Sequence, residues 1–288
     1  MKILLTGARG QLGEELGRSL MGLGQLVKVD RAGMDLSKPD QVRSVVRTVR
    51  PDLIVNAAAY TAVDRAESES ALAQRINADA PALLASEAAL LGAALVHFST
   101  DYVFDGAKRG AYLETDVPNP VNGYGASKLA GEQAIAQAGV KHLILRTSWL
   151  YGINGNNFLT TMLRLAREHG TLRVVADQLG TPTWHRFVAE ATAVALRQAI
   201  RGGAPWWREH GGLYHLSCAG STSWYGFAAA IMAAAQSDCP VLPITAAEYG
   251  RPARRPSNSA LSSDKFAARF CAIPDWNSAL LQCMASSA

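Results

Sequence analysis

A Rossmann-type α/β fold, a doubly wound parallel sheet with a smaller C-terminal lobe, follows from three observations on this 288-residue chain. Apolar runs of strand length alternate with helix-period segments through the first half. The first run ends in the glycine-rich turn Thr6-Gly7-Ala-Arg-Gly10-Gln11-Leu12-Gly13, which can seat a dinucleotide pyrophosphate at a helix N-terminus. Tyr124 and Lys128, four residues apart, lie on one face of a helix.

Taken in order, Ile3 to Thr6, Leu26 to Asp30, Leu53 to Ala58, Leu95 to Thr100 and Leu143 to Thr147 read as buried strands, because they are nearly continuous in apolar residues. The helix after the glycine turn carries Leu12, Leu16 and Leu20 on one side. A second helix opens at Ser37-Lys-Pro39, with Ser37 as the expected cap and Pro39 in the first turn, and Val42, Val45, Val46 and Val49 form its stripe. Residues 1–150 are expected to form the dinucleotide-binding domain. Residues 151–288 are expected to build mainly the second lobe, with some segments returning to the first. There the pattern predicts helices at Phe158 to His169 and His185 to Ile200, a strand at Leu172 to Ala176, an alanine-rich helix capped within Ser221-Thr-Ser223, and two short final helices. Gly202-Gly-Ala-Pro-Trp-Trp207 is expected to be an irregular connection.

Composition narrows the function. With 49% hydrophobic and 18% charged residues and a net charge of +4, the chain can bury a full core and shows no basic stripe for nucleic acid. The local exception is Arg251-Pro-Ala-Arg254-Arg255. Cys218, Cys239, Cys271 and Cys283 lack metal-ligand spacing and read as thiols in a reducing compartment. No run has signal-peptide or membrane-span length, so a cytoplasmic protein with no membrane partner is expected.

Gly7 suits the tight turn, Gly10 admits the pyrophosphate, and Gly13 permits close helix packing. The spacing G-x-x-G-x-x-G resembles that of the extended short-chain dehydrogenase/reductase superfamily. Asp30, ending the second strand, is placed for a ribose hydroxyl, while Arg31 suits a 2′-phosphate, so NADPH with tolerance of NADH is expected. Ala58, Ala59 and Tyr60 end the third strand in mostly small residues that let a cofactor lie near the backbone; Asp35 and Leu36 suit the adenine edge. A free phenol ionises near pH 10, and a lysine one turn away is expected to stabilise Tyr124 as phenolate. Thr100 is placed to hold a carbonyl oxygen, with Ser99 on the opposite face by strand alternation.

Longer motifs carry a closer resemblance. Asn56-Ala-Ala-Ala-Tyr-Thr-Ala-Val-Asp64, Ser99-Thr-Asp-Tyr-Val-Phe-Asp-Gly106, Tyr124-Gly-x-x-Lys128, Arg146-Thr-Ser-Trp149, Gly155-Asn-Asn-Phe158, Asp177-Gln-x-Gly-x-Pro-Thr183 and Arg255-Pro-x-Asn-Ser259, with the glycine turn, run nearly the whole chain in order. This pattern resembles the dTDP-4-dehydrorhamnose reductase family. The resemblance implies a soluble homodimer that reduces the C4 ketone of dTDP-4-dehydro-β-L-rhamnose. It implies Tyr124 as proton donor, Thr100 as carbonyl partner and Lys128 on the nicotinamide ribose. Asp101 and Trp149 would contact the sugar. Gln11, Leu12, Asp30, Asp35, Leu36, Ala58, Ala59 and Tyr60 would line the cofactor. A long dianionic substrate also needs donors beyond the cofactor, expected from Arg254 or Arg255 with Asn258, and the 106–123 loop is expected to close over the sugar.

The resemblance also implies Mg2+ at a dimer interface, on acids matching Glu15 and Glu190 plus one in the C-terminal tail. Here no carboxylate side chain follows Asp275, so no metal-linked dimer is expected and Glu15 reads as an exposed helix residue. Two alternatives share the Tyr/Lys motif or the fold. A dehydratase needs a second acid after the strand-end threonine, where Asp101-Tyr102 stands, and epimerases differ at Gln11-Leu12. A regulatory NADP-binding subunit is free to lose Tyr124 or Lys128, and both remain.

Overall fold

The computed structural model describes residues 1–286, and a six-stranded parallel sheet with helices on both faces organises them. The main elements of the first half are β1 (Lys2–Thr6), α1 (Gln11–Ser19), β2 (Gln25–Lys28), α2 (Pro39–Val49), β3 (Leu53–Asn56), α3 (Ala80–Leu91), β4 (Ala94–Thr100), α4 (Gly123–Gln137) and β5 (Lys141–Thr147). They are followed by α5 (Phe158–Glu168), β6 (Leu172–Val175), α6 (His185–His210), β7 (Gly212–His215), α7 (Trp224–Ala234), β8 (Val241–Ile244) and α8 (Trp276–Ala285). The sheet runs β7-β5-β4-β3-β1-β2, so the chain grows outward from β1 in one direction and then reverses. Such a reversal leaves a crevice at the carboxyl ends of the central strands.

Strand alternation sorts the core. Ile3, Leu5, Val55, Val96 and Leu145 face α1 and α6, where Leu12, Leu16, Leu20, Val188 and Leu196 meet them. Leu4, Ile54, Leu95 and Ile144 face the other way, onto Val42 and Val46 of α2 and Leu84 and Ala88 of α3. Each fully buried aliphatic side chain contributes about 1.5 to 3 kcal/mol, so both helix layers are held firmly to the sheet. A third core beyond the sheet joins Tyr151, Leu159, Phe227, Ile231 and Leu280.

Several local expectations change. α2 is capped at Lys38 without a side-chain bond, because the Ser37 hydroxyl donates instead to Asp35 Oδ1 at 2.8 Å. The β1–β2 ladder ends at Lys28 and β3 ends at Asn56, releasing the residues that wall the crevice. The connection expected at 202–207 is shorter than that: the helix breaks at Gly203, where φ 58° is non-helical, and a second helical segment, counted here with α6, runs on to His210. Trp206 packs there on Phe270. β7, which the sequence reading did not include, completes the sheet beside β5. The cap within Ser221-Thr-Ser223 is Ser223, whose hydroxyl accepts from Gly226 N–H.

Candidate active site

The crevice is a cavity of about 970 Å³ at the carboxyl ends of β1, β3 and β4. Gly7, at φ 64°, turns the chain out of β1, and a side chain on Gly13 would collide with the Gly7 carbonyl. α1 starts with Gly10 at its N-cap and no capping side chain. Its first N–H groups therefore have no side-chain acceptor at the cavity wall formed by Gly10, Gln11 and Leu12, which fits a pyrophosphate. Gln11 also bridges the lobes, donating to the Asn156 carbonyl at 3.0 Å and accepting from Asn157 Nδ2 at 3.0 Å.

Asp30, Arg31, Asp35, Leu36, Ala58, Ala59 and Tyr60 all line this cavity. The Gly33 N–H holds the Asp30 carboxyl below its usual range, with help from Arg9, whose Nε is 2.8 Å away. Burial pushes Asp35 up, but the Ser37 hydroxyl and N–H outweigh it and leave the carboxyl lowered. Arg31 lies 3.7 Å from Asp35 and is otherwise open to solvent. Arg9, in a variable position of the glycine turn, was missed by sequence reasoning.

At the other end, the Thr100 hydroxyl donates to Asp101 Oδ1 at 3.0 Å and accepts from Tyr102 N–H at 3.1 Å. Asn122 caps α4, fixing Tyr124 in its first turn, and the Tyr124 hydroxyl lies beside the Thr100 hydroxyl. Lys128 is buried, with its Nζ 2.6 Å from the Phe98 carbonyl and 3.1 Å from His97 Nε2. Thr100, Tyr124, Lys128, Asp101 and Trp149 thus share one wall, together with Ser99, whose hydroxyl is buried without a hydrogen bond among the described residues.

The electrostatics differ from expectation. Desolvation pushes the Tyr124 hydroxyl up to about 12, opposed by Thr100 and reinforced by Asp101. Lys128 does not enter among the causes of this shift; its Nζ contacts the Phe98 carbonyl and His97 Nε2 instead. Burial lowers Lys128 to about 8, against the pull of Glu132. Burial also raises Asp101 to about 7, opposed by the Ser259 and Thr100 hydroxyls.

A second cavity of about 550 Å³ adjoins the first. Trp149, at φ 43°, stacks on Trp224 with centroids 3.4 Å apart and planes 5° from parallel. Trp149 faces the first cavity and Trp224 the second, so this stack is the partition. Tyr102 lines the second cavity and packs edge-on against Tyr124, 5.9 Å between centroids. Arg173, Arg251, Arg254 and Arg255 supply its cations, and Phe158, Trp224 and Tyr249 its aromatic surface. Arg255 is bidentate to Asp64 at 3.0 Å, whereas Arg254 is exposed with no ion pair among the described residues. Arg173, Tyr249 and Trp224 lie outside any motif with a site reading, so nothing in the sequence singled them out.

Three expected site features lie elsewhere. Asn258 does not reach the cavities: its amide donates to the Lys108 and Gly110 carbonyls at 2.9 and 2.7 Å, and its oxygen accepts from Ala260 N–H. The 106–123 loop is docked rather than poised over the sugar, because Tyr112 exchanges backbone bonds with Ala260 and Ser262 and stacks on Phe104. Glu15 is buried, 4% exposed, and held by Arg18 at 2.7 Å and Arg186 at 3.4 Å, while Glu190 is exposed. With both carboxylate oxygens of Glu15 taken by guanidinium groups, these acids do not fit a hard-cation site, and no acidic or thiol cluster among the described residues does.

The family model described as RmlD substrate binding domain matches residues 1–288. The dTDP-4-dehydrorhamnose reductase of Burkholderia thailandensis is 48% identical over 293 residues, covering 99% of this chain and 98% of that protein. The enzyme of that name from Escherichia coli K12 is 46% identical, covering 96% and 94%. Among solved structures, a dTDP-4-dehydrorhamnose reductase from Bacillus anthracis in complex with NADP superposes with a TM-score of 0.90 at 39% identity over 99% of both chains. A UDP-glucose 4-epimerase from Thermus thermophilus, at 19% identity and a TM-score of 0.82 over 99% and 98%, shares the fold alone.

Proposed function

Since the chain belongs to the dTDP-4-dehydrorhamnose reductase family, we propose that its two adjoining cavities divide one reduction between cofactor and sugar nucleotide. The protein is an NADP-dependent oxidoreductase that reduces the C4 ketone of dTDP-4-dehydro-β-L-rhamnose to dTDP-L-rhamnose. The observation that carries the residue assignment is the shared wall of Thr100, Tyr124 and Lys128 beside the glycine turn. The cofactor, when bound, supplies the hydride. Gly10 and the α1 N-terminus would hold its diphosphate, Asp30 its adenosine ribose, and Arg31 with Arg9 a 2′-phosphate, with NADH tolerated.

When the Thr100 hydroxyl turns from Asp101 Oδ1, it and the Tyr124 hydroxyl offer two protons to a substrate carbonyl oxygen lying between them. Tyr124 donates its proton to that oxygen as negative charge develops. A phenol near 12 is fully protonated at neutral pH yet far more acidic than an alcohol, so transfer to an alkoxide runs downhill. Lys128 would orient the nicotinamide ribose, Asp101 and Trp149 would contact the sugar, and the arginines and aromatic rings of the second cavity would take the diphosphate and base.

By the same resemblance the assembly is a homodimer and the setting cytoplasmic; no helix among the described residues is long and apolar enough to cross a membrane. The deciding experiment follows NADPH absorbance with dTDP-4-dehydrorhamnose and identifies the product by chromatography. Cofactor binding without turnover would overturn the reading in favour of a regulatory subunit.

A further inference from the structure

Lys128 is tied to the first strand by a chain of buried side chains that the reaction above does not use. Its Nζ lies 3.1 Å from His97 Nε2, His97 Nδ1 lies 3.0 Å from Asn56 Nδ2, and Asn56 Oδ1 accepts from the Thr6 hydroxyl at 2.6 Å. The four residues come from α4, β4, β3 and β1, and none is more than 2% exposed. Thr6 immediately precedes Gly7, and its hydroxyl oxygen also faces Ala58 N–H at 3.3 Å, in the cavity wall.

The chain has only two consistent proton inventories. At 2.6 Å the Thr6–Asn56 contact has the length of an O–H···O bond, which turns the amide oxygen to Thr6 and the amide nitrogen to His97. That nitrogen can only donate, so Nδ1 is bare and the ring proton sits on Nε2. Nε2–H faces Lys128, which can accept only as an amine. An ammonium requires the reverse: the ring protonated on Nδ1, Asn56 turned to present its oxygen, and Thr6 accepting from the amide. A doubly protonated ring is disfavoured, since burial and Lys128 hold His97 well below its usual range.

We propose that Thr6, Asn56 and His97 are positioning residues forming one relay, in which the proton on Lys128 and the orientation of the relay determine each other. A change at Lys128 is thereby felt at the glycine turn. No other neighbour substitutes for His97: Glu132 spends both oxygens on Arg146, and Tyr124 and Asp101 stand on the cavity side. The meaning for cofactor binding rests on the reductase reading; the relay does not.

The test is NMR of protein labelled with 15N-histidine and 13C-lysine, without cofactor or substrate. One histidine, identified by its loss in His97→Gln, should stay neutral from about pH 6 to about pH 10. As pH rises it should exchange the Nδ1–H tautomer for Nε2–H at the midpoint of the Lys128 titration. In Asn56→Asp a carboxylate accepts from both Thr6 and Nδ1–H, locking the ammonium form and moving the step up by more than about one pH unit. A tautomer that stays fixed across the range while Lys128 titrates overturns the proposal, as does an unmoved step in Asn56→Asp. Should that variant not fold, the wild-type step decides alone. Since no turnover is measured, failure here is distinct from failure of the NADPH assay.

Discussion

Replacing Tyr124 by phenylalanine removes one oxygen and leaves the ring against Tyr102, 5.9 Å between centroids. The Thr100 hydroxyl keeps its bonds to Asp101 Oδ1 and Tyr102 N–H, so no buried partner is orphaned. The folding cost is then at most that of one net hydrogen bond, about 1 kcal/mol. The transition state loses its proton donor, a contribution of about 10² to 10⁴ in rate. At about 1.36 kcal/mol per tenfold this is about 2.7 to 5.4 kcal/mol of barrier. The barrier term therefore exceeds the folding term by severalfold. In the NADPH absorbance assay kcat should fall at least about a hundredfold, while NADP+ affinity measured by fluorescence titration changes less than about threefold. A kcat loss below about tenfold, or a parallel collapse of cofactor affinity, would refute the assignment of Tyr124 as proton donor.

Four further outcomes are expected. Asp101 ionises at about 7 in the folded protein against 3.8 for a free carboxyl, so its protonated form favours folding below about 3.8 and that contribution is lost as pH rises through about 7. Asp101→Asn should accordingly raise Tm at pH 8 and leave it unchanged at pH 4 in thermal melts. Arg31→Ala should lower the NADPH over NADH preference in kcat/KM by about fivefold, roughly 1 kcal/mol for an exposed cation, and an unchanged ratio would exclude Arg31. Arg254→Ala should raise KM for the sugar nucleotide about tenfold with Tm intact, whereas Arg255→Ala strands Asp64 and should lower Tm as well. EDTA should leave kcat within about twofold, because the arginines around Glu15 occupy both of its oxygens.

The fold was legible wherever local pattern and tertiary environment agree. β1, β4 and β5 are buried on both faces over most of their length, and their nearly continuous apolar runs say so. β7 has only four residues, and its place is fixed by the carbonyls of β5, which leave no trace in its own sequence. The helical turns after the break at Gly203 were hidden for the opposite reason: with Pro205 and two tryptophans their local propensity is poor, and Trp206 packed on Phe270 holds them. The cofactor end of the site could be read because glycine spacing and strand ends are local features. The second cavity could not, since Arg173, Trp224, Tyr249 and Arg254 meet only through folding.

The sequence reading of Tyr124 failed instructively. Spacing alone placed an ammonium next to a phenol and suggested an acidified tyrosine, yet four residues of helix do not say where a lysine spends its hydrogens. Nζ contacts Phe98 and His97, and at Tyr124 desolvation dominates and moves the phenol the other way. For a reductase this is the useful direction. A phenolate has no proton to give, whereas a phenol near 12 is fully charged with its proton at neutral pH. The same burial that keeps it protonated also strengthens its bond to a developing alkoxide, because both act in a medium of low dielectric. The reverse oxidation needs Tyr124 as a base, so the same raised value leaves it a scarce phenolate to start from near neutral pH.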